Sequence, residues 1–254
     1  MEWIVERDYA REALPKRDPE GHKGSFGEVL ALAGSAGYTG AAWLTAEGAV
    51  RGGCGLVHLG VPEDIWPVEA VKCTSAMPFP LAAKDGGLAL GALEGIREKL
   101  SRCDVLALGP GLGRRAETAE LIRRLLAETE KPIVLDADGI NALAGHIDIL
   151  DGRRGRVTVL TPHEGEFARI GDLSGGRVQA ARNFAVAHGC WLILKGHRSL
   201  TATPWGTVLE NATGNCGMDK GGSGDVLTVL IAALLAQGAG PTQAAALGNW
   251  LHGR

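Results

Sequence analysis

Aromatic residues are scarce in this sequence, at 5%, while glycine is abundant at 38 of 254 residues, a balance that suits tight turns between strands and helices. The five cysteines, Cys54, Cys73, Cys103, Cys190 and Cys216, are odd in number and widely scattered, with no paired spacing. That argues against a disulfide frame or a zinc site and for reduced thiols in a cytoplasmic protein. No excess of positive charge is present, the formal net charge being −3, so nothing points to nucleic acid. No apolar run reaches membrane-spanning length; the best, Val226 to Ala236, is too short. The opening MEWIVERDYAREALPKRD is charged and has no apolar core, so no signal peptide is visible. Internal repeats, low-complexity tracts and linkers are also lacking. With 45% hydrophobic residues the chain can bury a sizeable core, and one domain over residues 1–254 is the simplest organisation.

What is present is an alternation. Residues 1 to 24 predict a leading helix and a loop. Strands are predicted at Glu28 to Ala33, Leu56 to Val61, Asp104 to Leu108, Pro132 to Leu135, Val157 to Leu160 and Trp191 to Leu194. Helices are predicted over Tyr38 to Arg51, Ala116 to Glu130 and Arg177 to His188. Continuous apolar strands separated by helices mark an α/β fold, a mostly parallel central sheet with helices on both faces.

The polar residues collect after the strands: Gly34-Ser35, Gly109 to Gly113, Asp136 to Asn141, Thr161 to Glu166 and Lys195 to His197. Carboxyl ends of parallel strands share one edge, and ligands bind in the crevice beyond it. These loops are therefore expected to meet at one rim, which favours an enzyme over a structural module. Each also has a plainer reading. Gly109 to Gly113 (GPGLG) reads as a tight turn, and lacks the spacing of a dinucleotide fingerprint. Asp136 and Asp138 read as turn and helix-cap residues. Thr161 and Glu164 read as a capping box, which leaves His163 free. Lys195 would be a buried lysine, which needs an anionic partner such as phosphate or the Glu166 region.

The stretch Asn211 to Gly238 organises the rest. It starts as a polar, glycine-rich loop and turns into an apolar run from Val226 that reads as a helix buried on most sides and ended by Gly238. Gly221, Gly222 and Gly224 make sense where the backbone bends and something approaches closely. Free N–H groups at the positive end of a helix form an anion site, and phosphate is the obvious anion. Asp225 reads either as a helix cap or as a base that takes a proton from a hydroxyl attacking phosphorus.

GSAGYTGAAWLTAEGAVRGGCGLVHLGVPE, DVLALGPGLGR, PIVLDADGINAL, LTPHEGEFARI, LILKGH and GMDKGGSGDVLTVLIAALLAQG follow one another as in the ADP- or ATP-dependent NAD(P)H-hydrate dehydratases, a branch of the ribokinase-like superfamily. The resemblance covers the chain from His22 onward. GGSGD alone would mark the superfamily; the PHEGE and GSAGYTGAA segments point to the dehydratase branch. Two features depart from the family pattern. Asn215-Cys216 stands where members often carry Asn-Pro, and members usually continue past the helix after Pro241, so a short C-terminal segment is expected to be missing.

The resemblance implies a repair enzyme, a lyase restoring NADH or NADPH from its S-form hydrate. It couples dehydration to cleavage of ADP, or less typically ATP, and releases AMP (or ADP) and phosphate. It implies Asp225 as the catalytic base and Gly221, Gly222, Ser223 and Gly224 as the anion hole. Ala41, Gly111, His163 and Asp225 would line the hydrate site; Lys195, Gly196, His197, Arg198, Ser199 and Gly224 would hold the nucleotide. Magnesium is expected on the phosphates, with no protein ligands assigned. A cytoplasmic homo-oligomer, a tetramer by resemblance, is expected, with no nucleic-acid or membrane partner. Two alternatives remain: a small-molecule kinase of the superfamily, of the hydroxyethylthiazole or pyridoxal type, and a non-catalytic nucleotide-binding module. The charge of Asp225 speaks against the second, since binding phosphate alone favours an uncharged residue there.

Overall fold

The computed structural model describes residues 2–254. In chain order the strands are β1 (Glu2–Ile4), β2 (Glu28–Leu32), β3 (Leu56–Pro62), β4 (Met77–Leu81), β5 (Ala83–Lys84), β6 (Gly87–Leu88), β7 (Val105–Leu108), β8 (Ile133–Leu135), β9 (Thr158–Leu160), β10 (Trp191–Leu194), β11 (Leu200–Ala202) and β12 (Val208–Glu210). The α-helices are α1 (Arg7–Ala13), α2 (Thr39–Arg51), α3 (Trp66–Lys72), α4 (Leu93–Arg102), α5 (Ala116–Glu128), α6 (Asp138–Asn141), α7 (Glu164–Phe167), α8 (Arg177–His188), α9 (Ser223–Ala236) and α10 (Pro241–His252). Ten strands form one sheet in the order β1-β12-β11-β10-β9-β8-β7-β2-β3-β4. From β4 to β10 all neighbours are parallel; β11 alone runs antiparallel to both of its neighbours.

Successive residues of a strand point to opposite faces, and each buried strand feeds two cores. Leu30 and Leu32 of β2 join Ile96 of α4, Leu121 and Leu125 of α5 and Phe184 of α8 on one face. Val29 and Ala31 join Ala42 and Ala46 of α2, Val229 and Ile231 of α9 and Ala244 of α10 on the other. The second face is rich in alanine and valine, and the helices come close: a Cβ added at Gly48 of α2 would lie 2.8 Å from Val229 Cγ2. Helix α9 is thus enclosed by the sheet, α2 and α10, as its lack of charge after Asp225 predicts. Val229, Ile231, Ala232 and Ala233 are fully buried. Each large aliphatic side chain so buried contributes about 1.5–3 kcal/mol, which gives the loop before α9 a rigid support.

Of the strands missed in the sequence, β4 and β1 are the two edges of the sheet, β11 and β12 lie between β10 and β1, and β5 and β6 pair separately. Strand β4 carries Pro78 and Pro80, which argue against a central strand; it pairs with β3 alone, where a missing N–H is tolerated. Strand β1 is three residues long at the other edge, with Trp3 and Ile4 exposed. Strand β2 lies between β3 and β7. The chain therefore runs outward from β2 to β4 and returns to β7 on the other side, a switch point that opens a crevice between the loops after β2 and β7. All five cysteines are free thiols. Among the described residues no helix is long and apolar enough to cross a membrane.

Candidate active site

The strand-end loops do meet. Gly34 N–H donates to Pro110 O at 2.8 Å, and the buried Ser35 hydroxyl donates to Gly111 O at 2.7 Å, so the loops after β2 and β7 close on each other. A Cβ at Gly111 would stand 2.7 Å from that of Ala41, which places these two residues side by side. Gly113 N–H donates to Asp138 Oδ2 at 2.8 Å, and Asn141 Nδ2 donates to Asp138 Oδ1 at 3.1 Å. Asp138 therefore joins the loops after β7 and β8 and makes no side-chain cap for α6, contrary to its plainer reading. Between the two aspartates Ala137 holds φ at +48°, a conformation that non-glycine residues rarely adopt and that collects at functional sites.

At the centre lies a polar network under the start of α9. Asp136 is almost wholly buried. Its Oδ1 accepts from Lys195 Nζ at 2.8 Å and its Oδ2 accepts from the Thr228 hydroxyl at 2.8 Å. Lys195 is also 3.7 Å from Glu166 Oε2. Burial works to lower the Lys195 pKa, but Asp136, Glu166 and Asp225 around it prevail and hold it above its ordinary value. The anionic partner that Lys195 requires is thus chiefly Asp136, with Glu166 behind it. A Cβ at Gly224 would lie 3.1 Å from Lys195 Nζ and 3.3 Å from Asp136 Oδ2, so the glycine is where the helix passes closely over this pair.

The helix begins at Ser223, earlier than its apolar run suggests. Gly222 is its N-cap at φ +88°, with Leu44 of α2 packed where a side chain would stand. Gly221 has open space around it. Asp225 sits in the first turn and makes no capping hydrogen bond, so its cap reading fails. Burial and then the neighbouring Asp136 raise its pKa to about 6, against a lowering by Lys195. Gly224 and Asp225 have no acceptor one turn back within α9, and the Ser223 N–H has only the long contact to Lys220 O at 3.4 Å, which leaves N–H groups at the positive end of the helix.

His163 is the clearest correction. It is itself the N-cap of α7: its Nδ1 accepts from Glu166 N–H at 3.2 Å, and Glu166 Oε2 accepts from His163 N–H at 2.9 Å. The capping box is His163 with Glu166, not Thr161 with Glu164. Thr161 is buried and turns its hydroxyl toward Leu135 O and the Thr228 hydroxyl, both at 3.4 Å. Capping uses only Nδ1 and so places the ring proton on Nε2; more than half of the side chain stays exposed. His163 pairs as a bridge with Lys195 across the rim and has no such link to Gly111 and Ala41.

The Lys195 to Ser199 run divides. Lys195 turns inward, while Arg198, at φ +58°, turns to Glu210 at 2.8 Å. The Ser199 hydroxyl closes the turn on Gly196 O at 3.1 Å. Arg177 of α8, missed in the sequence, braces the run by donating to His197 O at 3.0 Å and to Leu194 O and Lys195 O at 3.3 Å. His252 at the end of α10 was missed too: its Nε2 lies 2.8 Å from Ser223 O and must donate to it, so α10 holds the first residue of α9. Burial lowers its pKa. Thr228 shows a weak signal in the sequence, a hydroxyl one turn after Gly224 in an otherwise apolar helix.

A mostly parallel sheet whose switch-point rim faces a glycine loop, a helix start and an aspartate in its first turn defines a ribokinase-like protein. A crystal structure of a ribokinase-like superfamily protein from Enterococcus faecalis V583 matches over 99% of this chain and 86% of its own, with a TM-score of 0.86 at 23% identity. The chain belongs to the NAD(P)H-hydrate dehydratase family, whose pattern matches residues 29–254. It is 44% identical over 251 residues to a bifunctional NAD(P)H-hydrate repair enzyme of Moorella thermoacetica; the match takes in 96% of this chain but 47% of that protein, so the chain spans about half of that relative's length. A Bacillus subtilis ADP/ATP-dependent NAD(P)H-hydrate dehydratase, co-crystallised with ATP and Mg2+, is similar at 28% identity with a TM-score of 0.80, over 99% of this chain and 87% of its own.

Proposed function

We propose that residues 1–254 act as one ribokinase-like unit that dehydrates the S-form hydrate of NADH or NADPH, coupled to cleavage of ADP to AMP, or of ATP to ADP. The observation that carries this reading is the half-buried Asp225 carboxylate, raised to about 6, in the first turn of α9 behind an open glycine loop. Above that pH it is ionised and poised to accept a proton. In the proposed sequence Asp225 takes the proton of the ring hydroxyl of the hydrate, and that oxygen attacks the terminal phosphorus of the nucleotide. The phosphorus–oxygen bond to the leaving nucleotide breaks while N–H groups from Gly221 to Gly224 hold the transferring oxygens. The ring carbon–oxygen bond then breaks with the electron pair leaving on phosphate, and loss of a proton from the neighbouring ring carbon completes the double bond. Phosphorylation thus turns hydroxide, a poor leaving group, into phosphate, a good one.

In this reading Gly111, Ala41 and His163 face the hydrate, and the Gly196 to Ser199 turn, with Lys195 and Gly224, holds the nucleotide. The donors at the rim suit magnesium brought in on the phosphates. Both oxygens of Asp136 are already engaged, and among the described residues no group of three ligand side chains gathers there. An ion carried by phosphates and water fits such a site. A cytoplasmic homo-oligomer belongs to the same proposal, on family resemblance.

The pH dependence tests the assignment. The kcat/KM for the hydrate is expected to fall below pH about 6 as Asp225 takes up its proton. Since Lys195 lowers the Asp225 pKa, Lys195→Met should move this acid limb upward as well as reduce the rate. A limb that stays in place in the variant assigns the ionisation to another group.

His163 offers a second test, because its cap and its exposed ring edge are separable. Asparagine is a good N-cap, so His163→Asn should keep thermal stability while His163→Ala loses about 1 kcal/mol of capping. Both should weaken use of the hydrate by about 1–3 kcal/mol, the effect of leaving one buried partner unpaired, with nucleotide affinity unchanged. Wild-type kinetics in His163→Asn would restrict the residue to its capping role.

A further inference from the structure

Away from the rim, at the amino ends of β2, β3 and β7, lies a second group of reactive side chains. Glu28 opens β2, His58 lies in β3, and Cys103 follows α4 two residues before β7. One carboxylate oxygen, one imidazole nitrogen and the Cys103 sulfur all lie within 4.8 Å of one another. The sheet explains the meeting. Glu28 and Leu30 share a face of β2, and His58 is paired with Leu30 in the neighbouring strand. Cys103 is fully buried and packs in the same core as Leu30 and Leu106. The backbone fixes the third member: Glu28 N–H donates to Asp104 Oδ2 at 2.8 Å and Asp104 N–H donates to Glu28 O at 2.9 Å.

The contacts within the group are poor as hydrogen bonds. His58 Nε2 and Glu28 Oε2 are 3.4 Å apart, longer than the usual N–H···O range of about 2.7–3.2 Å. That separation equals the edge of about 3.4 Å expected between nitrogen and oxygen ligands on tetrahedral zinc, given bonds of about 2.0–2.2 Å. The charges also balance: a carboxylate, a thiolate and a neutral imidazole make a neutral set around a divalent cation, as a largely buried position requires. One nitrogen, one oxygen and one sulfur ligand suit a borderline-soft ion of the zinc class rather than magnesium or calcium.

We propose that Glu28, His58 and Cys103 form a zinc-class metal site, with water as the fourth ligand, separate from the reaction rim. The scattered cysteines argue against a zinc site when only sequence spacing is read; here three segments each supply one ligand, which no sequence spacing reveals. Binding displaces the Cys103 thiol proton, which now points to Lys99 O at 3.3 Å, and leaves the His58 proton on Nδ1. The bound ion clips β2, β3 and the α4–β7 connection together. The Lys99 ammonium acts electrostatically on both His58 and Cys103 and opposes a cation there.

The test uses untagged, chelator-stripped protein titrated with Zn2+ by calorimetry and with Co2+ by absorption. One Zn2+ per chain is expected, weakened at least about tenfold in Cys103→Ser and in Glu28→Gln and tightened in Lys99→Met. Co2+ should give a thiolate charge-transfer band in the wild type that persists in Cys216→Ser, which removes an exposed thiol, and is lost in Cys103→Ser. The absence of that band from the wild type overturns the proposal without recourse to any variant. So does Zn2+ affinity unchanged in Glu28→Gln, whose side chain is partly exposed and whose substitution leaves the core intact.

Discussion

Replacing Asp225 with asparagine is expected to lower turnover about 10²- to 10⁴-fold, the contribution of a positioned general base, while nucleotide binding is kept or tightened. The substitution keeps the size of the side chain and removes a negative charge from beside the phosphates. It should also stabilise the protein. Asp225 has an ordinary pKa of 3.8 and is raised to about 6 in the folded chain, so the folded state holds this proton more tightly than the unfolded one. An acid shifted in that direction withdraws stability as pH rises from about 4 through about 6. At neutral pH the charged form is therefore destabilising, by about 1 kcal/mol once its partial exposure is discounted. Asparagine relieves this, and the thermal midpoint should rise by about 2–4 °C at pH 7.5, with the gap closing toward pH 4. A less active and more stable variant is the signature of a residue kept for chemistry. Near-normal turnover in Asp225→Asn would remove Asp225 as the base.

Gly224→Val is expected to reduce activity by at least about 10²- to 10³-fold, as when an oxyanion-binding group is lost. The first added carbon would lie 3.1 Å from Lys195 Nζ and 3.3 Å from Asp136 Oδ2. The branched methyl groups then force Lys195 off Asp136 and enter the space where a phosphoryl group must approach. Because Lys195 is the end of a flexible chain, the fold should survive. Gly222→Val acts differently: φ is +88° and Leu44 occupies the position, so strain and a clash with α2 add to the blocked approach. Calorimetry with ADP should show lost affinity in Gly224→Val; unchanged affinity there and in Gly222→Val would move the phosphate site elsewhere.

The central elements were legible because their signals are local. Apolar runs stopped by glycine, proline or a polar residue marked β2, β3, β7, β8, β9 and β10, and the loop from Gly221 to Asp225 stood out by combining glycines with a charge-free helix. Edge strands were not legible, since β4 alternates proline with apolar residues and β1 is too short to show a period. Within the site, Lys195 stood out as a buried lysine in need of an anion, but Asp136 read only as a turn residue, because their pairing joins positions 59 apart in sequence. The Thr228 bond to Asp136 spans 92 positions, and only the packing of α9 over β8 creates it. His163 was misread because a histidine serves as N-cap less commonly than threonine, and Thr161 offered the commoner pattern. His252 and Arg177 act through backbone oxygens, for which side-chain spacing holds no signal.

The most direct measurement follows NADH absorbance and phosphate together while purified protein is incubated with NADH hydrate and ADP or ATP. The dehydratase account predicts that NADH returns only when nucleotide is present, with one phosphate released for each NADH formed and none released when the hydrate is omitted. Nucleotide cleaved against the hydrate with a stable phosphorylated product and no return of NADH would contradict it and identify a kinase.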